Sequence, residues 1–154
     1  MNNEQKFSSV LTLAVADHEV MASAIENSRN ILAGGSLTDI VCEAGTLKEL
    51  TRTKLAPHFK MEEEHIFPAL LQQQTDTQTT RLVADLIEDH RRILEKAKLL
   101  DKIPMLAVAG GSSLDTVKMI VRDLIDTLQN HATREDGLLL ALLEKQRQSL
   151  IAPS

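Results

Sequence analysis

Apolar residues recur along this chain at spacings of three and four positions, in four segments separated by polar or glycine-containing breaks. That spacing is the signature of a helix with one buried face, and no segment alternates apolar and polar residues as a strand would. The breaks fall at 33–36, 74–77 and 103–112, and the last is the longest. Because short connections favour antiparallel neighbours, the pattern predicts an all-α, antiparallel up-down-up-down four-helix bundle.

Each predicted helix has one stripe of residues that we expect to face the core. The first stripe is Leu11, Ala14, His18, Met21, Ile25, Ser28 and Leu32. The second is Ile40, Ala44, Leu47, Thr51, Leu55, His58, Glu62, His65 and Ala69. The third is Val83, Leu86, His90, Ile93, Ala97 and Leu100. The fourth is Leu114, Val117, Val121, Leu124, Leu128, His131, Glu135, Leu138 and Leu142.

Residues near the breaks predict where the helices end. Gly34 and Gly110 suit helix C-termini. Ser36 and Ser112 are each followed three positions later by an aspartate, which is the spacing of a capping box. Two prolines at positions 57 and 68 interrupt the second segment, where we expect a kink, or a break near the second of them, because proline removes a helical hydrogen bond.

Composition narrows the class of protein. The 154 residues suit one domain, and the net charge of −5 gives no basic surface for nucleic acid or anionic lipid. No apolar run approaches the roughly 20 residues that cross a bilayer, and the N-terminus leads into an amphipathic segment, so we expect a cytoplasmic protein without a membrane partner. The single cysteine, Cys42, excludes an internal disulfide, and we expect it in the core.

The core stripes contain polar residues that an apolar core would not tolerate singly. All five histidines lie on them, and so do Glu62 and Glu135. A buried carboxylate without a partner is costly, and each imidazole needs a hydrogen-bond partner. If these groups lie at one level, bound cations would stabilise all of them together. The absence of tyrosine and tryptophan excludes tyrosyl-radical chemistry.

The spacing of these residues repeats in the two halves of the chain, about 7–73 and 76–148, within a single domain of 1–154. His58 follows His18 by 40 positions and His131 follows His90 by 41, and in each half a glutamate follows four residues after the second histidine. Each half therefore supplies two imidazoles and one carboxylate, donors that suit iron, manganese or zinc. The glutamates are placed to bridge two ions; histidines paired within each half or crosswise both agree with the repeat.

This pattern covers nearly the whole chain and resembles the hemerythrin-like, or HHE cation-binding, family. The resemblance rests on the sequence HFKMEEEHIFP at 58–68, with His18, His90, His131 and Glu135. It implies a four-helix bundle with two iron ions, an oxo- or hydroxo-bridged di-iron centre, although zinc and manganese accept the same donors. By direct match it implies the metal ligands His18, His58, Glu62, His90, His131 and Glu135.

This chain departs from the oxygen-carrying hemerythrins at Leu94 and in the carboxylate that we prefer after the last histidine. Those proteins have a second histidine four residues along the third helix, where this chain has Leu94, and an aspartate five residues after the last histidine, where this chain has Asp136. We prefer Glu135 as the ligand, because it lies about 40° from His131 around a helix and Asp136 about 140°. These differences disfavour reversible oxygen carriage.

His65 is a seventh candidate ligand, because it lies three residues after Glu62 in a Glu-x-x-His pair that other di-iron bundles use. It would give one ion an extra imidazole and leave the other ion an open position. Asp17 and Asp89 precede histidines in both halves but lie about 100° off the stripes, so we expect them in solvent.

The resemblance implies a protein that binds O2 or a related small ligand, nitric oxide or peroxide, for storage, sensing or detoxification. The same ligands would serve a di-iron enzyme that reduces peroxide or nitric oxide or oxidises ferrous iron. A third alternative is iron donation for repair of damaged iron centres. That branch of the family often has a cysteine-bearing N-terminal segment, which we do not expect here because the chain starts almost directly in the first helix.

Overall fold

The computed structural model of the chain describes residues 2–73, 76–110 and 113–151. Helix dominates these residues, and no strand occurs among them, which confirms the all-α class. In chain order the elements are α1 (Asn3–Gly34), α2 (Leu37–Leu50), a first π turn (Thr51–Leu55), α3 (Ala56–Met61), a second π turn (Glu62–Ile66), α4 (Phe67–Gln73), α5 (Thr77–Lys98), a 3₁₀ turn (Leu99–Lys102), α6 (Ile103–Ala109) and α7 (Ser113–Ile151). Four long helical stretches result, with α2 to α4 continuous as the second.

The helix ends follow the predicted capping residues where the structure describes them. α1 ends at Gly34, and the next backbone N–H donates to the carbonyl of Ile31. Ser36 caps α2 through a reciprocal pair of hydrogen bonds with Asp39, as its spacing predicts. The capping box that we predict at Ser112 lies outside the described residues.

The predicted third break is largely helical. The 3₁₀ turn continues from α5, and α6 then starts at Ile103 with a proline in its first turn, where the missing N–H costs nothing. Gly110 ends α6 with φ of 73°, a backbone conformation that favours glycine. The prediction of a long loop over 103–112 was therefore wrong for most of its length.

Two π turns carry the second stretch past its prolines. The first ends at Leu55, two residues before Pro57, and the second ends at Ile66, two residues before Pro68. The N–H groups that close them donate five residues back rather than four, from Ala56 and Phe67. The wider turn relieves the contact between each proline ring and the carbonyl four residues earlier. Helix thus continues to residue 73, so of the two alternatives, a kink or a break near Pro68, the break was wrong.

The apolar core has two parts. The first cluster includes the buried residues Met21, Ile25, Leu47, Leu55, Ile93, Val121, Leu124 and Leu128, and it is the larger. The second cluster includes Leu11, Ala14, Ile66, Phe67, Leu70, Val83, Leu86, Leu139 and Leu142. On each of the four stretches, buried histidines or glutamates lie between the residues that join the first cluster and those that join the second.

One surface position corrects a sequence-based expectation. Cys42 is exposed rather than in the core. On α6, Met105 and Val108 are 79% and 88% exposed, whereas Ile103 is fully buried in the first cluster. Among the described residues, no helix has the combined length and apolarity needed to span a bilayer.

Truncating a core residue of the first cluster should destabilise the bundle. Ile93 is fully buried on α5, so Ile93→Ala leaves a cavity and should cost about 2–5 kcal/mol. Ile87 on the same helix is 39% exposed, and Ile87→Ala should change stability by less than about 1 kcal/mol. Urea unfolding followed by circular dichroism measures both, and equal losses would contradict this placement of the core.

Candidate metal centre

Six buried donors from all four long helical stretches meet between the two apolar clusters. Each of the six residues is at most 7% exposed. They form two groups, and within each group one donor atom from every residue lies within 4.8 Å of the others. The first group is His18, His58, Glu62 and Glu135, and the second is Glu62, His90, His131 and Glu135. The two glutamates belong to both groups, so each has a place between two cation positions.

In the first group the donor atoms face one another at short range. The Nε2 atoms of His18 and His58 are 3.1 Å apart. The Nε2 atom of His58 lies 3.0 Å from a carboxylate oxygen of Glu62, one turn along the same helical stretch. The Nε2 atom of His18 lies 3.3 Å from a carboxylate oxygen of Glu135 on α7. Two imidazoles and two carboxylates thus share one small volume.

The second group repeats this arrangement. The Nε2 atom of His131 lies 2.8 Å from the Oε2 atom of Glu135, again one turn apart on one helix. The Nε2 atom of His90 lies 3.3 Å from Glu62 and 3.9 Å from Glu135. The histidines pair within each half of the chain, which is one of the two arrangements that the sequence repeat allows.

Three of the four imidazoles are hydrogen-bonded through Nδ1, the ring nitrogen that faces away from the centre, to carboxylates outside the two groups. The Nδ1 atom of His58 lies 3.1 Å from Asp17, and that of His131 lies 3.1 Å from Asp89. The Nδ1 atom of His18 lies 2.5 Å from Asp136. A carboxylate only accepts, so each of these imidazoles donates from Nδ1. In the neutral imidazole the Nε2 atom then presents a lone pair to the centre.

This network leaves the centre rich in lone pairs and poor in hydrogen-bond donors, which is what a cation site requires. Both carboxylate oxygens of Glu62 and of Glu135, both ring nitrogens of His90 and the Nε2 atom of His131 are buried without a hydrogen bond. Each such atom costs about 1–3 kcal/mol when it has no partner. Nitrogen and oxygen donors without sulfur suit iron, manganese or zinc, so the residues present fit a pair of such ions.

The fourth imidazole is held differently. His90 stacks on Phe59, with ring centroids 4.0 Å apart and planes 11° apart, and on Phe67 at 5.8 Å. The carboxylate of Glu63 lies 3.7 Å from its Nδ1 atom, beyond hydrogen-bond range. Ring packing therefore orients His90, whereas hydrogen bonds orient the other three histidines.

Burial and neighbours set the protonation states near the centre. Burial raises the pKa of Glu62, but the imidazoles of His58 and His90 outweigh it and hold that pKa at about 2. Burial, reinforced by His90, lowers the pKa of His131 to about 4. At neutral pH, Glu62 is therefore ionised and His131 neutral, which are the forms that bind a metal cation.

The structure brings together six of the seven predicted ligands and leaves His65 outside. The side chain of His65 is 60% exposed and lies 4.0 Å from Glu64. The second π turn explains the difference, because it adds a residue to the turn after Glu62 and shifts the helical phase. Ile66 accordingly occupies the inward place that an uninterrupted α-helix would give to His65. Glu135, and not Asp136, belongs to both donor groups.

The sequence-based prediction did not find Asp17 and Asp89, which orient the imidazoles of His58 and His131. Asp89 is buried and Asp17 is half-buried, whereas we expected both in solvent. Each contacts the histidine of the following helical stretch rather than its own neighbour. The repeated Asp-His dipeptide in both halves of the chain was the signal that could have found them.

Metal content should depend on His58 but not on His65. His58→Ala removes a donor from the first group and should lower the metal bound per chain, since losing even a hydrogen-bond partner of a ligand weakens metal binding about tenfold or more. His65→Ala, a matched change at an exposed position on the same helical stretch, should leave metal content unchanged. Elemental analysis of both variants, purified without chelator, measures the metal content. Equal loss in the two variants would mean that His65 is also a ligand.

The metal-free protein should lose stability as the pH falls. In the folded chain the pKa of His131 is about 4, below its ordinary value of 6.5, so the unfolded chain binds more protons between these values. Stability from this group is complete above about pH 6.5 and falls as the pH approaches 4. Glu62 adds a further loss between about pH 4.5 and 2. Melting temperatures in chelator across this range test the trend, which His131→Gln should flatten between pH 6.5 and 4.

Comparison with known proteins agrees with this site. A scan against family models matched the hemerythrin HHE cation-binding domain over residues 9–143, which is most of the chain and includes all six grouped donors. Searches of curated proteins and of solved structures gave no significant match. The chain therefore belongs to the hemerythrin HHE cation-binding domain family.

Proposed function

We propose that this protein holds two iron ions in the bundle and uses them to bind O2 or a related small ligand, nitric oxide or peroxide, for storage, sensing or detoxification. One observation carries the proposal: two buried donor groups, each of two imidazoles and two carboxylates, share Glu62 and Glu135. A single ion would use only one of these groups. Two ions bridged by the shared glutamates would use all six residues.

The proposed roles of the residues follow from their positions. His18 and His58 would complete the first ion, and His90 and His131 the second, while Glu62 and Glu135 would bridge them. Two imidazoles and two carboxylates would give each ion four protein donors, which would leave room for a small exogenous ligand. A ferrous pair, when bound, supplies electrons to such a ligand.

The surroundings favour a ligand of only a few atoms. The six donor residues are at most 7% exposed, so a larger substrate could not reach them without opening the bundle. Buried Met21, Leu55 and Leu128 in the first cluster, with Phe59 against His90, exclude bulk water from that side. Exclusion of water would slow the irreversible oxidation of a reduced centre by O2. Binding of a small ligand therefore suits the site better than turnover of a large substrate.

The antiparallel up-down-up-down order of the helices is part of the same proposal. Along α1 and α5, residues of the second cluster precede residues of the first cluster. Along the 37–73 stretch and α7 the order is reversed. Helices that run alternately up and down would give this order. A cytoplasmic location stays a prediction of the sequence.

Iron loading followed by rapid mixing tests the proposed function. The iron-loaded protein should contain two ions per chain. After anaerobic reduction, stopped-flow mixing with O2, or separately with nitric oxide, should give a saturable change in visible absorption that reverses when the gas is removed. Sustained consumption of O2 or peroxide, with repeated turnover, would instead support the enzyme alternative.

A glutamate pair provides the matched control. Glu62→Gln removes a carboxylate oxygen shared by both donor groups and should abolish the absorption change. Glu64→Gln changes a carboxylate that is 54% exposed on the same π turn and should leave the change intact. A wild-type protein that retains no metal when loaded with iron, zinc or manganese would overturn the proposed function.

A further inference from the structure

The two halves of the chain differ at one position beside the donor groups. Three residues after His58 the chain has Met61, whereas three residues after His131 it has Arg134. The guanidinium of Arg134 contacts Asp89, the carboxylate that orients His131. Among the described residues, no lysine or arginine pairs with Asp17, the equivalent carboxylate behind His58.

Arg134 and His131 share one carboxylate oxygen of Asp89. The Nη2 atom of Arg134 and the Nδ1 atom of His131 both contact Oδ2 of Asp89. A carboxylate that accepts a hydrogen bond from an imidazole makes that imidazole a stronger donor to a metal. Sharing the oxygen with a guanidinium withdraws charge from it and weakens the effect. The positive charge of Arg134 also repels a cation bound nearby.

The other two imidazoles, those of His18 and His90, also differ in their hydrogen bonds to carboxylates, and again the first group has the stronger support. His18 is hydrogen-bonded to Asp136, whereas His90 has Glu63 only at 3.7 Å and its Nδ1 atom makes no hydrogen bond. The His18 and His58 side therefore has two hydrogen-bonded carboxylates behind its ligands. The His90 and His131 side has one, and an arginine already occupies that one.

We propose that Arg134 is a positioning residue that makes the two metal positions unequal, so that the first position, at His18 and His58, fills before the second, at His90 and His131. The inference rests on the proposed metal site. Arg134 acts through Asp89 and by the repulsion of its charge, without touching the ion. Removing the guanidinium makes the two halves alike at this position and strengthens cation binding at the second position only.

Titration of metal-free protein with Co²⁺, followed by calorimetry and visible absorption, tests the inequality. Wild type should show two steps, with the first at least about tenfold tighter than the second. Arg134→Met copies the residue of the other half and should tighten the second step about threefold to tenfold, with less effect at high salt because the side chain is 47% exposed. Arg134→Lys keeps the charge and should preserve most of the difference.

Loss of one histidine at a time identifies the position that fills first. His131→Ala should keep the tight step and lose the weak one, whereas His58→Ala should lose the tight step. The reverse assignment would overturn the proposed order. Arg134→Gln provides a second charge-removing variant if Arg134→Met does not fold, and the same tightening is expected from it.

A matched arginine controls for loss of surface charge. Arg91 pairs with Glu88 and Glu95 on its own helix, and Arg91→Met should leave both Co²⁺ steps unchanged. Two equal steps in wild type, or no change of either step in the two variants that remove the Arg134 charge, would overturn the inference and leave the two-ion site standing. Absence of Co²⁺ binding would overturn both proposals together.

Discussion

The bundle encloses carboxylates and imidazole lone pairs in hydrocarbon, and the rest of the structure depends on how that charge is balanced. Seven nitrogen and oxygen atoms of Glu62, His90, His131 and Glu135 are buried without a hydrogen bond. At about 1–3 kcal/mol each, their combined cost is comparable to the whole net stability of a typical domain, about 5–15 kcal/mol. Cations between the donors would offset this cost, so metal binding and folding are coupled in such a site.

Three layers of support hold the donors in place. Spacing of four residues along a helix brings each glutamate next to a histidine of its own stretch. Carboxylates from other helical stretches then fix the rings of His18, His58 and His131, while Phe59 fixes that of His90. The apolar clusters on either side exclude water. Each layer restricts the donors further and leaves their side chains little freedom.

The sequence predicted the parts of this design that depend on regular helix geometry. The spacing of His58 and Glu62, and of His131 and Glu135, fixes their shared face, and the repeat placed His18 and His90 at the same level. The sequence did not predict the features that depend on a departure from α-helical geometry or on contacts between helices. A π turn moved His65 to the surface, and Asp17 and Asp89 contact partners 41 and 42 residues away. Such contacts depend on helix packing, which periodicity along one helix does not report.

The position of the polar layer between two apolar clusters also fixes how the helices align along their axes. A purely apolar bundle can slide by one turn, about 5.4 Å, and still match alkyl groups with alkyl groups. Here the same slip would carry a glutamate or histidine into hydrocarbon and separate it from the other donors. The layer therefore selects one axial register, as a buried asparagine does in a coiled coil. Its charged residues give the bundle structural uniqueness in addition to their chemistry.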